Sequence, residues 1–573
     1  MAQISSRAGV KGDVIDALAA LNFSPCASLP LRCAAMSYTV DIIVLLAYFG
    51  IILGIGLSQR SKSDSVEGFA LGDRQTPWWA VLASILAAEI SAATFLGAPE
   101  SGYSKGNWTY AQFAIGTILA RIIVSFLFIP LFYRQGVVSL YEYLETRFGP
   151  RTRTWASGTF LVTRVLAMGT RLYVSAIILV IAYQFGVGRP VGAWEKFGIF
   201  AGAVILVTVL TSIYTAAGGI RAVIWTDFIQ VGVLIAALGF SIWYLLGKLP
   251  DGWASAAAQI KSPAFFDFAK PAADPGAWAW LKNVLTSDYT IWAAIIGSTF
   301  VTMATHGIDQ DTVQRMLTAK NRRESAKATI LSGLIDLPVV SCFILVGILV
   351  SAFYKSGIAT LPADVVSREA FPYFIITEMP AGMRGLVIAG IMATAMGSLS
   401  TALNALGTSF ARDFVLPRRE ARGPVSEAEK VSVLRWSTVL FAGFVVVVGV
   451  ATAWAMAFNP TMEIIPLVLG ILGFTFGSLL ALFLLAIFTK TRGNDFGNVL
   501  AMCCGFAAVV FFSNARLQEL VGFTTPEGKP ALILAFPWRV TLGTLVTFLV
   551  AACFRTSQKT QDATAVRELE LGK

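Results

Sequence analysis

Apolar runs of about 20 residues, each long enough to cross a hydrocarbon layer as a helix, recur along this chain between short polar interruptions. The pattern predicts thirteen spanning helices, over residues 38–58, 77–102, 108–132, 155–185, 193–216, 222–247, 287–313, 325–353, 382–410, 432–457, 462–489, 496–513 and 537–554. Two of these runs carry polar groups in their middle. In the ninth, Thr394, Ser398 and Thr401 recur at helical spacing beside Gly397, so one stripe bears oxygen while the other faces stay apolar. In the second, Ala87-Ala88-Glu89-Ile90-Ser91 sets a carboxylate and a hydroxyl at similar depth, followed by Gly97 and Pro99, which weaken a regular helix. A discontinuous helix there would free backbone carbonyls for an ion. Oxygens are what a hard cation such as Na⁺ requires once its water is stripped, so the two runs together predict an ion site and a transporter.

The loops give an independent reading of orientation. Arg60, Lys62 and Arg74 follow the first run, and Arg134, Arg147, Arg151 and Arg153 the third. Lys320, Arg322, Arg323 and Lys327 follow the seventh; Arg412, Arg418, Arg419, Arg422 and Lys430 follow the ninth. By the positive-inside rule the N-terminus is outside and the C-terminus inside, as an odd number of spans requires. The long loop 248–286 then falls outside, with Trp253, Trp278 and Trp280 as interfacial anchors.

Composition narrows the class. Of 573 residues 56% are hydrophobic and only 14% charged, at a mean hydropathy of +0.70. Soluble chains carry about a quarter of their residues as charge, so this is an integral, multi-pass protein of the cell membrane. The net charge of +10 sits in particular loops, as membrane orientation requires, and implies no nucleic-acid partner. The single histidine, His306, excludes a histidine-rich metal centre. No phosphate-binding glycine loop, metalloprotease histidine pair or Cys-x-x-Cys is present, so an enzyme is not expected. Residues 1–35 read as a disordered tail, with Met36 as the expected true start and 36–573 as one transporter domain.

Each embedded polar group also has a plainer reading. Glu89 could pair with Arg164 or Arg171 of the fourth span; Asp227 could face headgroups or cap a helix; Asp336, just before Pro338, could tie down a kink. The hydroxyls could simply bond the carbonyl one turn back. Ionisable residues at this depth more often line pathways, which favours a functional reading for Glu89.

Five stretches carry a family resemblance: Trp78-Trp79 leading into Ile90–Gly97, Ser139–Gly149, Gly218–Gln230, His306–Gln310 with Val313–Asn321, and Ser398–Asn404. In this order and at these span positions the chain resembles the sodium:solute symporter family. The resemblance implies an all-helical LeuT-type fold of two inverted five-helix repeats, at about 77–247 and 287–489, and Na⁺-coupled import of a small-molecule solute by alternating access. It implies a sodium site at Ala87, Ile90, Thr394, Gly397 and Ser398, and a second at Asp227, Ser400 and Thr401. Many relatives have a hydroxyl where Gly397 stands, so the expectation is one sodium, with the second left open. The galactose carriers follow the serine of the broken helix with Ala-Glu-Gln; here Ala92-Ala93-Thr94 follows Ser91, which argues against a galactose-type pocket. By position the solute candidates are Glu89, Ser91, Thr94, Trp108, Gln112 and Arg171. Aromatic, amide and hydroxyl groups suit a sugar or polyol; glutamate with arginine suits a zwitterion or a sugar acid. The expectation is a sugar-like or acidic solute carried by a monomer in the bilayer, with an amino acid or vitamin symporter, a channel and a membrane sensor as rivals.

Overall fold

The computed structural model of the protein describes residues 38–60, 65–187, 189, 191–261, 264–268, 276–363, 365–459, 464–525 and 531–571. The expected tail 1–35 and Met36 lie outside them. The described residues are helical, with two isolated β-bridges, Thr76 to Ala319 and Arg492 to Arg555.

The principal helices are α1 (Thr39–Ser58), α2 (Trp78–Glu89), α3 (Ala92–Lys105), α4 (Phe113–Gln135), α5 (Pro150–Val187), α6 (Ala193–Lys248), α7 (Ser298–Gly307), α8 (Gln310–Met316), α9 (Arg322–Lys355), α10 (Met383–Phe410), α11 (Glu427–Phe458), α12 (Ile464–Phe488), α13 (Asp495–Ser513) and α14 (Phe536–Ala552). Each of the apolar runs coincides with helix. Among the described residues nine helices are long and apolar enough to cross a membrane, and the bent pair α2/α3 makes a tenth. The remaining runs differ for local reasons. Helix α6 has 56 residues, about 84 Å at 1.5 Å each, far beyond one bilayer. It folds back at Gly219 (φ 58°, ψ −150°), where a Cβ would strike the Phe69 carbonyl, so only glycine serves there. The seventh run enters through a π-helical turn, Ala293–Gly297, before α7, and the thirteenth is the 17-residue α14.

Burial ranks the helices. In α10, 94% of the most apolar window is buried, against 22% in α1, so α10 is the central helix and α1 faces lipid. Sequence explains the difference: α10 is built from Ala, Gly, Ser and Thr, which let neighbouring backbones approach, whereas α1 is lined with Ile, Leu and Val. The two are clamped at one end. The Asp41 carboxylate accepts from Arg384 Nε (2.8 Å) and Nη2 (2.5 Å), and from the backbone N–H groups of Gly382 and Gly385 (2.8 Å each). A buried carboxylate is tolerable here because every lone pair has a donor.

Candidate sodium and solute site

The second apolar run is broken, as its small and polar residues suggest, but the break falls at Ile90–Ser91, upstream of Gly97 and Pro99. Ile90 has ψ 89° and Ser91 is extended (φ −87°, ψ 165°), and the halves α2 and α3 meet at a 63° bend. Helix α3 restarts on the Ser91 carbonyl, which accepts from the N–H groups of Thr94 and Phe95 at 2.9 Å. Gly97 and Pro99 are accommodated inside α3.

Helix α10 runs beside this break. A Cβ built on Gly397 would lie 3.2 Å from the Ala87 carbonyl oxygen, so glycine brings the α10 backbone against the end of α2. The hydroxyls of the oxygen stripe all donate back along the helix. Thr394 Oγ1 bonds the Ile391 carbonyl (2.7 Å), Ser398 Oγ the Thr394 carbonyl (2.8 Å), and Thr401 Oγ1 the Gly397 carbonyl (3.0 Å). This is the plainer reading of each hydroxyl, and it does not remove the oxygen as a ligand. A hydroxyl has one proton and two lone pairs, and a cation ligand must point its proton elsewhere. Ser91 and Ser398 line one cavity with Met168, Arg171, Leu172, Ser175, Ala395 and Leu399, so the break and the stripe face a common space.

Asp227 is fully buried and therefore does not face headgroups. It accepts from Ser84 Oγ at 2.5 Å and from Ser400 Oγ at 3.5 Å, and Ser400 also donates to the Gly397 carbonyl at 3.1 Å. Arg315 Nε of α8 stands 4.0 Å away, in a chain of ion pairs that continues through Asp311 to Arg164 and Asp309. Ser84, one helical face along from Ala87, is a partner that sequence reading missed.

The solute candidates separate into three groups. Arg171 and Ser91 reach the cavity. The Arg171 Nε and the Ser175 Oγ are buried without a hydrogen bond, and no carboxylate among the described residues forms an ion pair with Arg171. Glu89 is committed elsewhere: its carboxylate pairs with fully buried Arg121 of α4, whereas Arg164 is taken by Asp309 and Asp311. Asp336 of α9 lies within electrostatic reach of that pair. The third group pins a loop. Gln112 Nε2 donates to the Tyr289 carbonyl (3.1 Å), its Oε1 accepts from the Asp267 N–H (3.2 Å), and the Trp108 N–H donates to the Ala264 carbonyl (3.3 Å). With both ends of its amide occupied, Gln112 is part of the scaffold beneath segment 264–268. Thr94 sits half-buried in the first turn of α3.

The match to the model of the Sodium:solute symporter family extends over residues 69–505, three-quarters of the chain and all of the site. The chain belongs to this family. Among curated relatives, the sodium/sialic acid symporter NanT of Aliivibrio fischeri is 29% identical over 477 residues, covering 83% of this chain and 88% of NanT. Sodium-coupled monocarboxylate transporter 2 of Bos taurus is 30% identical over 469 residues, covering 78% and 68%. A solved substrate-bound, outward-open Na⁺-coupled sialic acid symporter superposes with a TM-score of 0.72 at 25% identity, covering 90% of this chain and 97% of that one. The protein is thus a multi-pass membrane symporter of LeuT-type fold that couples a small solute to Na⁺.

Proposed function

We propose that this symporter imports a carboxylate-bearing, sugar-like solute, of the sugar-acid class, and that Arg171 receives the carboxylate. The observation that carries this reading is the unpaired guanidinium on the wall of the cavity that also holds Ser91, Ser175 and Ser398. An uncompensated buried charge is costly, and membrane-embedded arginines ordinarily have a partner. Here the missing anion would be the solute, held bidentately while the serines take its hydroxyls. Relatives named for sialic acid and for monocarboxylates share an acidic solute, which agrees. Among the sequence candidates Arg171, Ser91 and the adjacent Thr94 stay in the proposed pocket, whereas Glu89, Trp108 and Gln112 serve the frame around it.

The same reading assigns one sodium to the Ala87 and Ile90 carbonyls with Thr394, Gly397 and Ser398, and a second cation to Asp227, Ser400 and Thr401. Thirteen spans with the N-terminus outside, and repeats at about 77–247 and 287–489, are consistent with the helix order and with the basic loops. Inward movement of one charge down the membrane potential releases about 2.3 kcal/mol per 100 mV. Sodium would drive alternating access by binding the outward-open state better, since a ligand biases an equilibrium only through differential affinity. The monomer holds every group of this site. The test is uptake into proteoliposomes under an imposed Na⁺ gradient, comparing sugar acids with neutral sugars and amino acids. Saturable, Na⁺-driven uptake confined to the acids supports the proposal, and equal transport of neutral sugars refutes it.

A further inference from the structure

One buried polar side chain beside the ion site is left without any partner. Gln230 of α6 is 1% exposed, and neither its Oε1 nor its Nε2 makes a hydrogen bond. A buried amide with both ends idle is unusual enough to require a reason. Its position supplies one. The Oε1 lies 2.8 Å from where a Cβ on Gly397 would stand, and the Ala87 carbonyl oxygen lies 3.2 Å from that same point. The place in which a side chain of residue 397 would put its oxygen is therefore already flanked by an amide oxygen.

The rest of the pocket is oxygen too. Asp227 is three residues earlier on the same helix, hence on the same face, and Ser400 Oγ is bonded to it. The hydroxyls of Tyr48 and Tyr214 border the amide; Tyr48 donates weakly to Met396 Sδ at 3.7 Å, and Tyr214 makes no hydrogen bond. The amide thus faces one carboxylate and neutral oxygens, with no cation of its own.

We infer that Gln230 is a sodium ligand, its Oε1 replacing the hydroxyl that Gly397 cannot offer, so that the Asp227 site holds a cation. The inference rests on the sodium site proposed above. An amide carbonyl oxygen is a good ligand for a hard cation, and one held in place without hydrogen-bond partners has no bond to surrender when the ion arrives. A serine at 397 and a glutamine at 230 would then compete for one space: the serine Cβ would sit 2.8 Å from Oε1.

The experiment titrates Na⁺ against the thermal unfolding midpoint of the full-length purified protein, at constant ionic strength held with choline. Gln230→Leu keeps the volume and breaks no hydrogen bond, so its midpoint without Na⁺ should match the parent. Its half-saturating Na⁺ should rise about tenfold, the worth of one ligand to a charged group. Gln230→Glu keeps an oxygen in place and should not raise it. Gly397→Ser should weaken Na⁺ binding in the parent but restore it in Gln230→Leu, because the serine hydroxyl enters the vacated space. If Gln230→Leu titrates like the parent while Ser398→Ala is weakened, Gln230 is no ligand and the sodium site stands without it. If neither variant moves the titration, the sodium site itself is misplaced and the inference falls with it. Should Gln230→Leu fail to fold, the pair Gly397→Ser and Gly397→Ser/Gln230→Glu still decides: a clash that the glutamate does not alter, with Na⁺ affinity unchanged in both, overturns the inference.

Discussion

Replacing Arg171 with glutamine tests the proposed solute pocket through one interaction. The side chain keeps its length and polarity but loses the charge and one arm of the planar fork that holds a carboxylate bidentately. Hydrogen bonds to charged groups are worth about 1.5–3 kcal/mol, so losing the charge-assisted pair should raise the half-saturating solute concentration about 10- to 150-fold. Stability should not suffer, because Arg171 has no ion-pair partner among the described residues to strand; removing a buried guanidinium with an idle Nε is more apt to stabilise. The assay is initial-rate uptake of a transported acid into proteoliposomes, with the carboxamide analogue in parallel. In the parent the amide should be the poorer substrate by a similar factor; in Arg171→Gln acid and amide should converge. A variant that still distinguishes acid from amide as strongly as the parent would refute the assignment of the carboxylate to Arg171.

Two further substitutions probe the frame. Glu89→Gln should strand fully buried Arg121 and lower stability by about 3 kcal/mol, whereas Glu89→Gln with Arg121→Gln should regain most of it; parity between single and double variants in thermal unfolding would contradict the pairing. Asp41→Ala removes the four hydrogen bonds that clamp α1 to α10 and should lower the unfolding midpoint at fixed scan rate, by the equivalent of about 3–5 kcal/mol, without moving the Na⁺ dependence of uptake; an unchanged midpoint would show that the clamp is slack.

How far the chain declared this arrangement depends on the range of each signal. Helices came through because twenty apolar residues in a row admit little else, and the turn at Gly218-Gly219 inside a 56-residue helix was visible as glycine where a span should end. The broken second run was legible as a cluster of small and polar residues, yet its exact break was not, since Gly97 and Pro99 look like better breakers than Ile90 and Ser91. Pairings across the sequence were beyond reach: Ser84 meets Asp227 from 143 residues away, and Glu89 meets Arg121 instead of the two arginines considered for it. Arg121 is itself an ionisable residue within an apolar run, so the rule that singled out Glu89 would have found it. Trp108 and Gln112 show the opposite failure. Their one-turn spacing names a face of a helix but not its depth, and the structure spends that face on a loop.

The account's central claim is that the break after α2 and the hydroxyl stripe of α10 hold sodium together. Its most direct test is the Na⁺ dependence of solute uptake in Ser398→Ala at saturating solute. Loss of one oxygen ligand should raise the half-maximal Na⁺ concentration about tenfold while leaving the protein folded and the maximal rate recoverable at high Na⁺. A variant whose uptake follows the parent's sodium curve would contradict the claim.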